Sequence, residues 1–151
     1  MPKKFKYNLE AVLKVRGIKE KKEQEKFAFR QREYIEEKRK EEEIRDRKKG
    51  EEHQIRQTFK KGPVSDFEKV LRRHAHLGIL KEGLDKQIEE VIKSSQKLED
   101  QREKLITSMK DKKIIEKNKE NRFKDYQKEL QALEIKFLDE IATERYKRED
   151  S

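Results

Sequence analysis

The sequence contains no cysteine and no tryptophan. Without cysteine, neither a disulfide framework nor a thiolate metal site can form. Only two prolines occur in 151 residues, and the stretch from Ser65 to Lys147 has none, so nothing there breaks a helix. Long apolar runs are also missing. The longest covers about four residues around Ile79 and Leu80, far short of a transmembrane helix, and the N-terminus lacks the apolar centre of a secretory signal. A soluble cytoplasmic chain is therefore the expectation. Apolar residues are scarce altogether, at 30% against 50% charged, too few for an ordinary globular core. That balance leaves a long helix, a coiled coil or disorder.

What is present decides among these. With Phe67 as position a, a heptad register runs from Ser65 to Lys147. Eight of eleven d positions are apolar (Val70, Leu77, Leu84, Val91, Leu98, Leu105, Tyr126 and Leu133), as are six of twelve a positions (Phe67, Ile88, Met109, Phe123, Leu130 and Phe137). A period sustained this long predicts one helix with a coiled-coil seam. At ~1.5 Å per residue it would be about 120 Å long. Such a helix needs something laid along its stripe.

The chain upstream supplies a candidate. Asn8 is a suitable N-cap, and Tyr7 with Val12 could form a hydrophobic staple. A first helix is expected over residues 8–59, with Leu9, Val12, Leu13, Phe27, Tyr34, Ile44, Ile55 and Phe59 as its apolar positions. Its stripe thins between Tyr34 and Ile55, and Gly50 suggests a soft point near Lys49–Glu52. Gly62-Pro63 should end this helix, and Ser65 with Glu68 reads as a capping box for the next. The expected fold is thus all-α: a single long antiparallel two-helix coiled coil, an αα-hairpin, over residues 1–151. Its turn falls at about 60–65 and its second helix at about 66–147. Folding about residue 63 brings residue i near residue 126 − i. Helix 1 then runs out opposite residues 113–117, and the C-terminal part of helix 2 overhangs. The overhang carries Phe123, Tyr126, Leu130, Leu133, Phe137 and Ile141, with no partner expected from the same chain. Such a stripe is a candidate binding surface.

Charge adds to this. The net charge is +9, and it concentrates in residues 1–22 and 110–128. The hairpin arithmetic sets both stretches at the open end, where they could meet an acidic protein surface. Elsewhere lysine and arginine alternate with acids, which fits solvated helix faces and argues against a nucleic-acid interface. Around the middle of helix 2, Ile79, Leu80 and Ile92 fall at f, g and e and widen the apolar stripe. Either the seam is locally broader over Tyr34–Arg47, or Leu80, Leu84, Ile88 and Val91 form a second partner site.

No catalytic pattern is visible, and no cofactor is called for. There is no Gly-rich phosphate loop and no nucleophile elbow. His74 and His76 lie two apart, on different faces of a helix, which does not suit a metal pair. His74, at an a position, reads as a polar register-setting residue.

The opening Phe5-Lys6-Tyr7-Asn8-Leu9-Glu10-Ala11-Val12-Leu13-Lys14-Val15-Arg16 resembles that of the FliJ family of bacterial flagellar export proteins. The stretch from Arg122-Phe123-Lys124-Asp125-Tyr126-Gln127 through Leu138-Asp139-Glu140-Ile141-Ala142-Thr143-Glu144-Arg145 resembles the same family's C-terminal region. The resemblance implies a non-enzymatic cytoplasmic component of the flagellar type III export apparatus, peripheral at the inner face of the cell membrane. Its fold would be similar to a rotary-ATPase central stalk. The end bearing both termini would sit in the pore of a hexameric export ATPase, and other parts would contact the export gate membrane protein and the export chaperones. Arg122 and Arg145 then join the aromatic stripe at the ATPase end. The seam at Lys112, Glu116 and Lys119 departs from a clean heptad. Two other readings stand beside this one: a basic coiled coil that binds nucleic acid or ribosomes, and a self-associating structural coiled coil.

Overall fold

The computed structural model describes residues 4–61 and 67–149. The chain is all-α. Helix α1 spans Glu10–Lys60, 51 residues, and α2 spans Phe67–Glu149, 83 residues. The two pack antiparallel as a helical hairpin. The chain falls into two compact units, one of residues 22–105 and one of residues 1–21 with 106–151. Lys61 follows α1 in a turn conformation. The expected turn residues Gly62 and Pro63 and the capping residue Ser65 lie outside the described residues.

Helix α1 begins slightly later than expected. The Leu9 carbonyl accepts the first helical hydrogen bond, from Leu13 N–H at 3.0 Å, and the Tyr7 carbonyl accepts from Glu10 N–H at 3.3 Å. Leu9 therefore stands where Asn8 was expected to cap. The helix continues through Gly50. A methyl group there would meet nothing within 4 Å, so this glycine carries its propensity cost on an open side.

In the unit of residues 22–105, α1 turns a strictly alternating set inward. Glu23, Phe27, Arg30, Tyr34, Glu37, Glu41, Ile44, Lys48, Glu51 and Ile55 are all buried or half-buried, at steps of four and three. That is the spacing of a coiled-coil seam, but six of these ten residues are charged. Glu23, Glu37 and Glu51 are answered from α2, whereas Arg30, Glu41 and Lys48 pair within α1. The Gln87 amide donates to the Glu37 carbonyl at 2.9 Å and to Glu37 Oε2 at 2.5 Å. Gln101 repeats the arrangement, donating to the Glu23 carbonyl at 3.3 Å and to Glu23 Oε2. Arg73 pairs with Glu51 at 3.6 Å. In each pair the residue numbers sum to 124, a register two residues from the expected 126. An amide that meets both a carbonyl and a carboxylate makes one neutral and one charge-assisted bond, and the second is the stronger.

These rungs correct the heptad assignment. The d line is in the seam: Val70, Leu77, Leu84 and Val91 are buried and Leu98 is half-buried. The a line is not. Phe67 is 64% exposed, Met109 47%, and His74 also faces solvent, so His74 cannot set the register. The second seam line is the g line instead, with Leu80, Gln87, Ser94 and Gln101 buried or half-buried. The a line attracted the assignment because it has more apolar side chains. The g line won because its small and amide side chains fit against the carboxylates of α1.

Leu80 accordingly belongs to the core, 8% exposed, beside Leu77 at 6% and Leu84 at 5%. Leu80→Asp should destabilise the hairpin as much as Leu77→Asp does, by several kcal/mol, roughly the 2–5 kcal/mol of a lost core leucine plus the desolvated charge. Thermal melts of the two variants check this equality. A Leu80→Asp melt matching that of the unmodified chain would contradict it.

Glu41 gives the seam a pH dependence. Burial opposes its charged form, but Arg45 at 3.1 Å and Lys38 at 3.3 Å outweigh that and hold its carboxyl below the usual carboxylate value of 4.5. A lowered folded-state value contributes stability above the ordinary carboxylate range and loses it as pH falls through the folded value. The unmodified chain should therefore lose stability on acidification below 4.5. In Glu41→Gln the acid limb of the melting-temperature profile should be flatter, as denaturation followed by circular dichroism would show.

Candidate functional site

The unit of residues 1–21 and 106–151 holds the open end of the hairpin. Its inner part is tied by charge. Arg16 donates to the Asp111 carbonyl at 2.7 Å. Lys112 lies 3.4 Å from Glu20 and 3.6 Å from Glu116, and Lys119 lies 2.8 Å from Glu10. The hydrogen bond that Lys112 donates to Glu20, with the charge of that carboxylate, raises the pKa of the Lys112 ammonium above its ordinary value. The positions that break the apolar heptad, Lys112 and Lys119, thus hold α1 by ion pairs.

Ahead of α1, residues 4–7 form a non-helical lead that lies along α2. Tyr7 is 8% exposed. Its hydroxyl donates to Asn118 Oδ1 at 2.5 Å and lies 3.4 Å from the Ile115 carbonyl. It is a cross-helix anchor, and Val12, the expected staple partner, is 37% exposed. Phe5 packs edge-on against Phe123, with ring centroids 5.2 Å apart, and tilted against Tyr126 at 5.5 Å. Phe123 and Tyr126 stack at 6.3 Å. Aromatic groupings at these distances and tilts are favourable beyond their burial.

This corrects the expectation that Phe123 and Tyr126 have no partner in their own chain. A helix paired with α2 covers it residue for residue, whereas an extended lead rises about 3.3 Å per residue against ~1.5 Å for the helix it lies on. Residues 4–7, ahead of the turn at Asn8 and Leu9, therefore carry Phe5 past Ile115 as far as Phe123 and Tyr126. The uncovered stripe starts later, with Leu130 half-buried, Leu133 56% exposed and Phe137 63% exposed. Arg122 and Arg145 are exposed.

Two open depressions lie where the lead and the start of α1 meet α2. One, of about 730 Å³, is lined by Lys4, Phe5, Lys6, Tyr126, Glu129, Leu130 and Leu133. The other, of about 510 Å³, is lined by Phe5, Leu13, Glu116, Lys119, Glu120 and Phe123. Both have an apolar floor and a charged rim, which suits a docked helix or loop. Among the described residues no cluster of three His, Cys, Asp or Glu could hold a metal ion, and no helix is long and apolar enough to cross a membrane.

Phe5 and Tyr7 were not singled out as site residues from the sequence. A signal for them exists: two aromatics two positions apart share one face of an extended segment, and a helix would separate them. The second candidate set lies in the unit of residues 22–105, and the structure reassigns it. Leu80, Leu84 and Val91 are buried and Ile88 is half-buried, so these side chains fill the seam and cannot form an outer site. What faces outward nearby is Ile79, 65% exposed, and Ile92, 52% exposed.

Tyr7→Phe tests the anchor. It removes a hydroxyl and leaves the Asn118 side chain without that donor, at a cost of about 1 kcal/mol. A melting temperature lowered by a few degrees, with added hydrogen exchange confined to the first turns of α1, is the expected result.

A family model described as flagellar FliJ protein matches residues 5–151. Among solved structures the chain is similar to CT670 of Chlamydia trachomatis, described as a YscO homologue, at 22% identity, with 92% of this chain and 93% of that chain covered and a TM-score of 0.47. No curated protein matches.

Proposed function

Because the chain belongs to the FliJ family and is a component of the flagellar export machinery, we propose that it acts as a non-enzymatic stalk at the hexameric export ATPase. In this reading the open end, with the lead and the last turns of α2, enters the ring's pore from the cytoplasmic side, near the inner face of the membrane. The observation that carries it is the continuity of one apolar stripe. It begins in the packed cluster of Phe5, Phe123 and Tyr126 and runs on through Leu133 and Phe137 without cover from α1 or the lead. A stalk needs both parts: a rigid base that fixes the helix direction, and an exposed tip that gains by burial, at ~25 cal/mol per Å². Lysines and arginines around the tip, Arg122 and Arg145 among them, favour an acidic pore lining. Contacts with the export gate and with export chaperones, which the family suggests, are assigned to the outward face around Ile79 and Ile92.

Leu133→Asp with Phe137→Asp places two charges on the exposed stripe and touches none of the seam. Affinity for the isolated ATPase hexamer, measured by titration, should fall by about tenfold or more, as for hot-spot losses at an interface, with the melting temperature unchanged. Equal affinity would remove the tip from the interface. Binding of random RNA with a steep salt slope, absent for the hexamer, would favour the nucleic-acid reading instead.

A further inference from the structure

The tip of α2 is complementary to itself. Tyr126, Leu130, Leu133 and Phe137 occupy successive d and a positions, and Glu129 and Lys136 are consecutive residues of the flanking g line. In an antiparallel helix pair, a positions meet d positions and each g line runs beside the other g line. Setting Leu130 level with Leu133 of a second copy sets Tyr126 level with Phe137 of that copy. The same alignment brings Glu129 beside Lys136 of the second copy, and Lys136 beside its Glu129. Both apolar pairs and both charge pairs are thus satisfied in one register, twice over by symmetry. A parallel pair fails the same comparison, because it sets Glu129 beside Glu134 of its neighbour.

The groove supports this occupant. The depression of about 730 Å³ is lined by Phe5, Tyr126, Leu130 and Leu133 together with Lys4, Lys6 and Glu129. The incoming segment would present Leu133 and Phe137 to those apolar side chains and the acids Glu134 and Asp139 to those lysines, while Glu140 would lie level with Phe123. The overlap runs from Arg122 to Ile141, about 30 Å of helix. Leu133 and Phe137, more than half exposed in one copy, would become the centre of the contact.

We infer that the chain self-associates through this tip, as an antiparallel pair centred between Leu130 and Leu133. The same residues form the tip assigned above to the ATPase pore, so the pair would hold that end covered until a ring is available. The self-association itself does not rest on the pore assignment and is tested on the full chain alone.

Sedimentation equilibrium of the full chain at moderate salt should show a monomer–dimer equilibrium. Lys136→Glu makes both charge pairs acidic, and Glu129→Lys makes both basic. Each single change should weaken dimerisation roughly tenfold, more than one exposed pair yields because two pairs turn repulsive together. The double variant Glu129→Lys with Lys136→Glu restores opposite charges and should recover the original affinity. All these positions lie outside the seam, so thermal melts of dilute protein should agree for every variant. A chain that sediments as a monomer at every concentration overturns the inference and leaves the groove to an acidic helix of another protein. A dimer indifferent to the single changes, or not rescued by the double change, overturns the antiparallel register. ATPase binding is read separately: loss of the dimer with hexamer binding intact refutes only the self-association.

Discussion

Everything in the seam of residues 22–105 depends on side-chain amides meeting carboxylates. Gln87 on Glu37 and Gln101 on Glu23 are the same contact repeated fourteen residues apart, two heptads on each helix. The register they fix also sets Leu80 level with Ile44 and Ser94 level with Arg30. A slip of one heptad either way would set Gln87 against Arg30 or Ile44 and Arg73 against Ile44 or Thr58. Every rung would be lost, and Glu23 would stay buried and Glu37 half-buried without their glutamine donors. Leaving a partly buried carboxylate unmet costs on the order of 1–3 kcal/mol. A seam of leucines alone would tolerate such slips far better. Polar rungs lower the gross apolar burial and in return single out one alignment, the role polar seam residues serve in coiled coils generally.

Much of this was legible in the residues. The helix content and the d line of α2 follow from the seven-residue repeat and the absence of proline after Ser65, and the hairpin from Gly62-Pro63 between the two helical stretches. The second seam line was not legible by hydrophobicity, because Gln87, Ser94 and Gln101 are polar and the neighbouring a line offers Ile88 and Met109. A matching of the two helices could have found it. Glu23, Glu37 and Glu51 recur every fourteen residues, as do Gln87, Gln101 and Arg73, and donors facing acceptors at one spacing are a pairing signal. Of the two readings of the patch around Leu80, the broader seam holds and the outer site does not, and the ambiguity has the same origin, since the position is judged against a line that faces solvent.

The candidate site was legible in its α2 half only. Phe123, Tyr126, Leu130, Leu133 and Phe137 stand out by spacing. Phe5 did not, because at helical rise it falls level with residue 119, short of Phe123 and Tyr126; Tyr7 falls level with residue 117 and reads only as a staple. Once the lead leaves the helix, each residue covers about twice the length, and the aromatic pair lands on Phe123, Tyr126 and the Ile115–Asn118 turn.

Charge and apolar surface divide the work within the unit of residues 1–21 and 106–151. From Glu20 and Lys112 to Glu10 and Lys119 the helices are held by ion pairs at the surface, which salt weakens and which contribute little singly. From Tyr7 outward the hold changes to a buried hydroxyl and three aromatic rings, which salt does not weaken. Fraying would naturally start where α1 ends, yet the lead places its most apolar contact there. The cluster thus closes a seam that would otherwise open from its end, and it does so with the side chains next to the exposed stripe. A partner that buries Leu133 and Phe137 extends an apolar surface that Phe5 and Tyr126 have already ordered. The entropy of fixing the base of the tip has been met by folding, which leaves more of the contact free energy for association.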